Sequence, residues 1–124
     1  MDYQNIIYEK QGPIAYVTLN RPDKLNALSD DLQLEVRHAL EDAGWEDDTI
    51  RVIVLKAAGR AFSAGFDITT SAKVNAVQRR AKYLKGKSFS ASGWWDVFWN
   101  NPKPIIATTN MVAVSKTVTV CWGR

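Results

Sequence analysis

The fold of this chain is decided by the stretch VIVLKAAGRAFSAGFDI, which occupies residues 52–68. Its first four residues, Val52–Leu55, are apolar and mostly β-branched, which predicts a strand buried on both faces of a layered, partly parallel sheet. The loop that follows, Ala57–Ile68, carries small residues between Gly59 and Gly65. Loops at the carboxyl ends of such strands commonly bind ligands, so we expect the functional site here.

A glycine-rich loop after a buried strand has three common uses: it cradles phosphates, binds a dinucleotide or polarises a carbonyl through backbone N–H groups. The two glycines are six residues apart, and Gly65 is followed by Phe66 and Asp67 rather than by Lys and Ser or Thr, which excludes the dinucleotide fingerprint and the phosphate loop for this segment. The sequence also lacks G-x-S-x-G and H-E-x-x-H. Carbonyl polarisation and a simple tight turn remain as alternatives.

Upstream of this stretch, the sequence predicts a β-hairpin and a helix. Residues 3–10 and 14–20 are strand-like and flank a turn, and the turn chemistry of Asn20–Lys24 then leads the chain out of the sheet. Ser29 is the expected N-cap of a helix that ends before Gly44. The apolar stripe at helical spacing comprises Leu32, Val36, Ala39, Leu40 and Ala43. His38 lies off the stripe and is expected at the surface.

Downstream of the loop lies a cationic segment, Lys73–Lys87. A solvated helix face, a phosphate contact and a nucleic-acid contact are the three interpretations of this segment. An apolar stripe among the charges favours the solvated face, so we expect no nucleic-acid partner. The members of that stripe are Val74, Val77, Ala81 and Leu84.

An aromatic cluster and a short strand follow the cationic segment. The cluster is expected in the core, with an acyl pocket or a subunit contact as alternatives. It comprises Trp94, Trp95, Phe98 and Trp99. Residues 100–104 are typical of a loop, and the apolar residues 105–107 predict a short buried strand.

Length and composition are those of one ordinary domain. A chain of 124 residues can bury roughly two-thirds of its unfolded surface. Cys121 is the single cysteine, which excludes an intrachain disulfide and a cysteine zinc site, and we expect no metal. The N-terminus has no apolar signal region, and no run approaches the roughly 18 apolar residues of a membrane span. We therefore expect a cytoplasmic protein without a membrane partner.

Three segments of this α/β sequence resemble the crotonase superfamily, the enoyl-CoA hydratase and isomerase family. The first is LNRPDKLNALS at residues 19–29, the second is AFSAGFDI at residues 61–68, and the third is NPKPIIA at residues 101–107. They occur in the order and with the spacing of that family. The resemblance implies a spiral of ββα units that binds an acyl-CoA thioester as its substrate, without a further cofactor. It also implies assembly of the full-length protein as a homotrimer or hexamer.

The resemblance also implies roles for individual residues. The backbone N–H of Ala64 would be the first oxyanion-hole donor, and Gly65, Phe66 and Asp67 would line the path of the CoA and acyl groups. For Asp67, a structural or binding role is expected rather than proton transfer. Backbone groups of Leu25 and Ala27 would contact the adenine end of CoA.

The sequence departs from the family after residue 109. Residues 1–109 are expected to be the N-terminal part of a truncated crotonase-like domain, and residues 110–124 an aberrant tail, which a reading-frame change near Asn110 would explain. The family's glycine-rich turn is not found there, and no acidic residue follows Asp96. Since hydratases add water with two carboxylates, we expect the chain to be nearly inactive as a hydratase. A non-catalytic acyl-CoA-binding or subunit-association module is the alternative.

Overall fold

The computed structural model describes residues 2–67 and 91–109 of the chain. Four strands form one mixed sheet in the order β1-β2-β3-β4, in which β1 and β2 are antiparallel and the other pairs are parallel. Two α-helices accompany the sheet within the described residues. The elements are β1 (Ile6–Gln11), β2 (Ile14–Leu19), α1 (Asp30–Glu41), β3 (Val52–Ala57), α2 (Ala91–Trp99) and β4 (Ile105–Ala107).

The predicted hairpin and the predicted helix are both confirmed. Strands β1 and β2 pair from Ile6 opposite Leu19 to Gln11 opposite Ile14. Helix α1 begins after Ser29, whose Oγ accepts a hydrogen bond from the N–H of Leu32 at 3.3 Å. All five residues of the predicted stripe are buried. His38 is exposed, as expected.

Strand β3 lies in the centre of the sheet, but the prediction that both of its faces are buried is wrong. Ile53 and Leu55 are buried in the core, whereas Val52 and Val54 are only half-buried. Helix α1 packs on the sheet, and the core residues of β2 and β3 share one face. A run of β-branched residues shows that a strand is present, but it does not show how much of each face is covered.

Strand β4 is tied to the end of α1 by the loop before it. The fully buried Asn101 donates from Nδ2 to the carbonyl of Leu40 at 3.1 Å and accepts at Oδ1 from the N–H of Lys103 at 3.1 Å. Lys103 Nζ donates at 2.7 Å to the carbonyl of Ala43, which lies in the π-helical turn Asp42–Glu46 that continues α1. A cation at the last turn of a helix is favourable because the carbonyl ends carry partial negative charge. The predicted loop and the predicted strand at 105–107 are confirmed, but the prediction that the strand is buried is wrong at Ile106, which is exposed.

The aromatic cluster lies on α2, a helix that the sequence did not predict. Trp94 is buried, as expected for a core residue, and its ring stacks edge to face on Phe98 with centroids 4.9 Å apart. The core prediction is wrong for Trp95 and Trp99, which are 57% and 75% exposed. The predicted helix within the cationic segment 73–87, and the predicted tail 110–124 with Cys121, lie outside the described residues.

An ionic cluster joins the hairpin to the segment after α1. Lys10 Nζ lies 2.7 Å from carboxylate oxygens of both Asp42 and Asp47. The hydrogen bond from Lys10, aided by Thr49, holds the pKa of Asp47 well below its usual range. Burial and the hydrogen bond to Asp42 raise the pKa of the Tyr8 hydroxyl. The cluster thus fixes where the chain enters β3.

The loop after β3 passes close to the turn after β2 at one glycine. Gly59 has a φ of +84°, and a Cβ built on it would lie 2.6 Å from Cβ of Pro22. Gly12, in the hairpin turn, has a φ of +57° with nothing within 4 Å of its Cβ position. Both glycines need the left-handed region, but a side chain at Gly59 would also meet a neighbour.

We predict that Gly59→Ala destabilises the protein more than Gly12→Ala. The left-handed backbone costs an alanine about 1–2 kcal/mol at either position. The contact with Pro22 adds about 1–3 kcal/mol at Gly59 alone. Urea unfolding of the two variants and the parent measures the difference. Equal losses of unfolding free energy in the two variants would show that Gly59 does not lie against Pro22.

Candidate functional site

The turn after β2 places Asn26 in the interior of the protein. Pro22–Lys24 form a single 3₁₀ turn, and Leu25 and Asn26 then both adopt a left-handed φ of +51°. Asn tolerates this conformation because its short side chain forms local hydrogen bonds, whereas Leu rarely adopts it. The N–H of Asn26 donates to the carbonyl of Arg21 at 2.9 Å, which closes the turn.

The Asn26 side chain connects this turn to the glycine-rich loop. Its Oδ1 accepts from the N–H of Arg21 at 2.7 Å. Its Nδ2 donates to the carbonyls of Ala58 at 2.8 Å and Ala61 at 2.9 Å. The residue is completely buried, and its amide uses both donors and its oxygen in these bonds. Two segments that resemble the same family are therefore joined through one side chain.

Main-chain hydrogen bonds extend this connection along the loop. Leu25 accepts at its carbonyl from the N–H of Ala64 at 2.9 Å. Leu28 donates to the carbonyl of Gly65 at 2.8 Å and accepts from the N–H of Asp67 at 3.1 Å, which forms a parallel bridge between Leu28 and Phe66. The loop is thus held against the 25–28 segment like a short additional strand.

Side chains hold the loop at further points. Ser63 Oγ donates to the carbonyl of Asn26 at 2.9 Å and accepts from the N–H of Gly65 at 3.1 Å. Gln33 Nε2, in the first turns of α1, donates to the carbonyl of Leu28 at 3.0 Å. Gly65 has a φ of +92°, a conformation that favours glycine, and open space at its Cβ position.

The predicted oxyanion donor is wrong: the N–H of Ala64 is already bonded. It donates to the carbonyl of Leu25, so in this structure it does not face a cavity. The error has a physical cause. The family-like motif shows that the loop is present, but the register of the loop against the 25–28 segment decides which N–H groups point inward.

The register instead leaves the N–H of Phe66 without a partner among residues 2–67 and 91–109. In the parallel bridge, the carbonyl of Gly65 and the N–H of Asp67 turn towards Leu28. The backbone groups of Phe66 itself therefore point the other way. Its side chain is 51% exposed. Sequence reasoning placed Phe66 in the lining of the site but missed its N–H as the available donor.

Asp67 is held by an ion pair, in agreement with the structural role expected for it. Its Oδ2 lies 3.4 Å from Nη1 of Arg21, and its side chain is 9% exposed. The same Nη1 of Arg21 donates to the carbonyl of Ala27 at 2.8 Å. The Arg21 guanidinium therefore connects Asp67, the residue after Phe66, to the 25–28 segment.

The backbone groups of Leu25 and Ala27 take part in internal bonds. The N–H of Leu25 donates to the carbonyl of Pro22, and the N–H of Ala27 donates to the carbonyl of Lys24. Ala27 accepts twice at its carbonyl, from Ser29 and from Arg21, which uses both lone pairs. The contact of the Leu25 and Ala27 backbone groups with the adenine end of CoA stays a prediction.

No group of three or more His, Cys, Asp or Glu residues suited to a metal ion occurs among residues 2–67 and 91–109. No helix in that part of the chain is long and apolar enough to cross a membrane.

The sequence model of one protein family, described as enoyl-CoA hydratase/isomerase, matches residues 9–115. This chain belongs to the enoyl-CoA hydratase/isomerase family. The site described above lies entirely within the matched residues.

Individual family members are similar to most of this chain. A short-chain-enoyl-CoA hydratase of Clostridium acetobutylicum is 32% identical over 115 residues, which are 92% of this chain and 42% of the relative. A trans-2-decenoyl-acyl-carrier-protein isomerase of Streptococcus mutans is 28% identical over 116 residues, 89% of this chain and 41% of the relative. An enoyl-CoA hydratase structure from Geobacillus kaustophilus matches with a TM-score of 0.69 at 34% identity, over 86% of this chain and 38% of that one.

These likenesses confirm the expected fold class. The chain has the α/β crotonase fold over the part that it shares with its relatives. It spans about 40% of the length of those relatives and corresponds to the N-terminal half of the superfamily.

We predict that amide hydrogen exchange distinguishes Phe66 from its neighbours. The N–H groups of Ala64, Gly65 and Asp67 donate to internal acceptors, so they should exchange more slowly than the N–H of Phe66. Proton–nitrogen NMR spectra recorded after transfer into D₂O measure each rate. Protection of Phe66 equal to that of Ala64 would contradict the register described here.

Proposed function

We propose that this chain binds an acyl-CoA thioester and that the N–H of Phe66 donates to the thioester carbonyl in an oxyanion hole. The family and the names of its members support the substrate class. The observation that carries the choice of donor is the bridge between Leu28 and Phe66, which leaves this N–H without an acceptor among residues 2–67 and 91–109.

A donor of this kind suits the chemistry of a thioester. When a thioester forms an enolate or a related oxyanion, negative charge develops on the carbonyl oxygen. A backbone N–H that is fixed before the substrate binds stabilises that charge without having to reorganise. Phe66 is fixed on both sides, by the bonds of Gly65 and Asp67 to Leu28. The stabilisation is larger in the transition state than in the ground state, which is the requirement for catalysis.

The same chain offers little for the proton transfers of water addition. Asp67, the acid beside the proposed donor, is paired with Arg21. No acidic residue follows Asp96 in the 124-residue sequence. A missing positioned acid or base costs a factor of about 10²–10⁴ in rate. We therefore propose that these residues bind and polarise a thioester, and that they hydrate it very slowly on their own.

A non-catalytic acyl-CoA-binding or subunit-association module is the second candidate. Trp95 and Trp99 lie one turn apart on α2 and are both largely exposed. Exposed aromatic surface of this kind is typical of contacts between proteins, and it fits assembly of the full-length protein as a homotrimer or hexamer. Hydration or double-bond migration of an enoyl-CoA would identify an enzyme. Binding without turnover and without polarisation of the thioester carbonyl would identify the module.

We predict that Phe66→Pro weakens the binding of crotonyl-CoA more than Phe66→Ala. Proline removes the N–H, whereas alanine removes the ring and keeps the N–H. A hydrogen bond contributes about 1 kcal/mol or somewhat more, so the proline variant should bind about tenfold more weakly than the alanine variant. Titration calorimetry with crotonyl-CoA measures both affinities, and circular dichroism confirms that both variants fold. Equal affinities would overturn the assignment of Phe66 N–H as the donor.

A further inference from the structure

Asn26 makes five hydrogen bonds, and three of them reach the loop that carries Phe66. Two run from its Nδ2 to the carbonyls of Ala58 and Ala61. The third runs to its own carbonyl from Oγ of Ser63. The remaining two, to Arg21, anchor the residue to the turn after β2. Asn26 therefore contacts the loop at three points between the end of β3 and the proposed donor.

The backbone at Asn26 is held in an uncommon conformation. Leu25 and Asn26 are the two non-glycine residues with positive φ in the described part of the chain. A left-handed leucine costs on the order of 1–2 kcal/mol, and such residues persist only where surrounding contacts fix them. Here the fixed conformation directs the carbonyl of Leu25 to the N–H of Ala64. The same turn therefore sets the register in which the N–H of Phe66 has no partner in the described part of the chain.

We propose that Asn26 is a positioning residue, which aims the N–H of Phe66 by fixing the distance between the 20–29 turn and the 58–67 loop. This proposal rests on the proposed function of Phe66. Asn26 itself is completely buried and does not touch substrate. It acts on the thioester only through the loop that it holds.

The carboxamide of asparagine is suited to this role. Two N–H groups at a fixed angle bond two carbonyls at once, while the oxygen of the same planar group accepts from a third residue. An aspartate has nearly the same shape, but an ionised carboxylate offers no donor. Its oxygens would face the carbonyls of Ala58 and Ala61, and the loop would move away from the turn.

Asn101 provides a matched control. It is also completely buried, and its carboxamide also donates from Nδ2 to a carbonyl and accepts at Oδ1 from a backbone N–H. Its bonds go to Leu40 and Lys103, which belong to α1 and the loop before β4. Asn101→Asp therefore repeats the same chemical change at a buried site that does not contact the 58–67 loop.

The test compares the two variants by the polarisation of a bound carbonyl. Crotonyl-CoA labelled with ¹³C at the thioester carbonyl is added to the parent protein, to Asn26→Asp and to Asn101→Asp. The downfield shift on binding reports the strength of the hydrogen bond to that oxygen. Binding of unlabelled CoA is measured in parallel, and thermal unfolding gives the stability of each variant.

We expect the parent and Asn101→Asp to show the same downfield shift and Asn26→Asp to lose most of it. Affinity for CoA alone should change little in either variant. Lowering the pH should restore part of the shift in Asn26→Asp, since a protonated carboxyl regains one donor. An unchanged shift in Asn26→Asp, or an equal loss in both variants, would overturn the proposal and leave Asn26 a purely structural residue.

Two other results are also decisive: a variant that does not fold, and a parent protein that shows no shift. If Asn26→Asp does not fold, Asn26→Gly decides, because glycine adopts the left-handed backbone and removes the carboxamide that bonds Ala58 and Ala61. A reduced shift in Asn26→Gly supports the proposal and an unchanged shift overturns it. If the parent protein shows no shift, the proposed function of Phe66 fails, and the role of Asn26 in aiming it fails for that separate reason.

Discussion

The buried carboxamide of Asn26 is the constraint on which the arrangement of the site depends. A buried amide that loses its partners costs several kcal/mol, so the turn and the loop can separate only at a large free-energy cost. Both of its N–H groups bond carbonyls of the loop, and its oxygen bonds the turn. The path of residues 58–67, and with it the direction of each backbone N–H, follows from this contact.

The sheet and α1 provide the frame for that contact. Strand β3 lies parallel to β2 and β4. The loop after β3 and the turn after β2 therefore begin at the same end of the sheet. The Ser29 cap of helix α1 lies three residues after Asn26, and Gln33 bonds the same carbonyl of Leu28 that accepts from Asp67. The carbonyl of Leu28 therefore connects the helix, the turn and the loop to one another. Arg21 adds an ion pair to Asp67 at the far end of the loop.

Local patterns in the sequence predicted the elements, and long-range contacts decided the site. Strand propensity, the Ser29 cap and the apolar stripe are signals within a few residues, so the hairpin and α1 could be predicted. The choice between Ala64 and Phe66 depends on pairing with residues some 40 positions away, which no local pattern encodes. The exposure of Trp95 and Trp99 likewise depends on where α2 packs. Asn26 and Asn101 look like ordinary turn residues in the sequence, and only the fold shows that both are buried.

Scalar couplings across hydrogen bonds test the central claim most directly, because they are observed only where donor and acceptor share a bond. The account predicts couplings from Nδ2 of Asn26 to the carbonyl carbons of Ala58 and Ala61, and from the nitrogen of Ala64 to the carbonyl carbon of Leu25. It predicts no coupling from the nitrogen of Phe66 to a protein carbonyl. A coupling at Phe66, or none at Asn26, would contradict it.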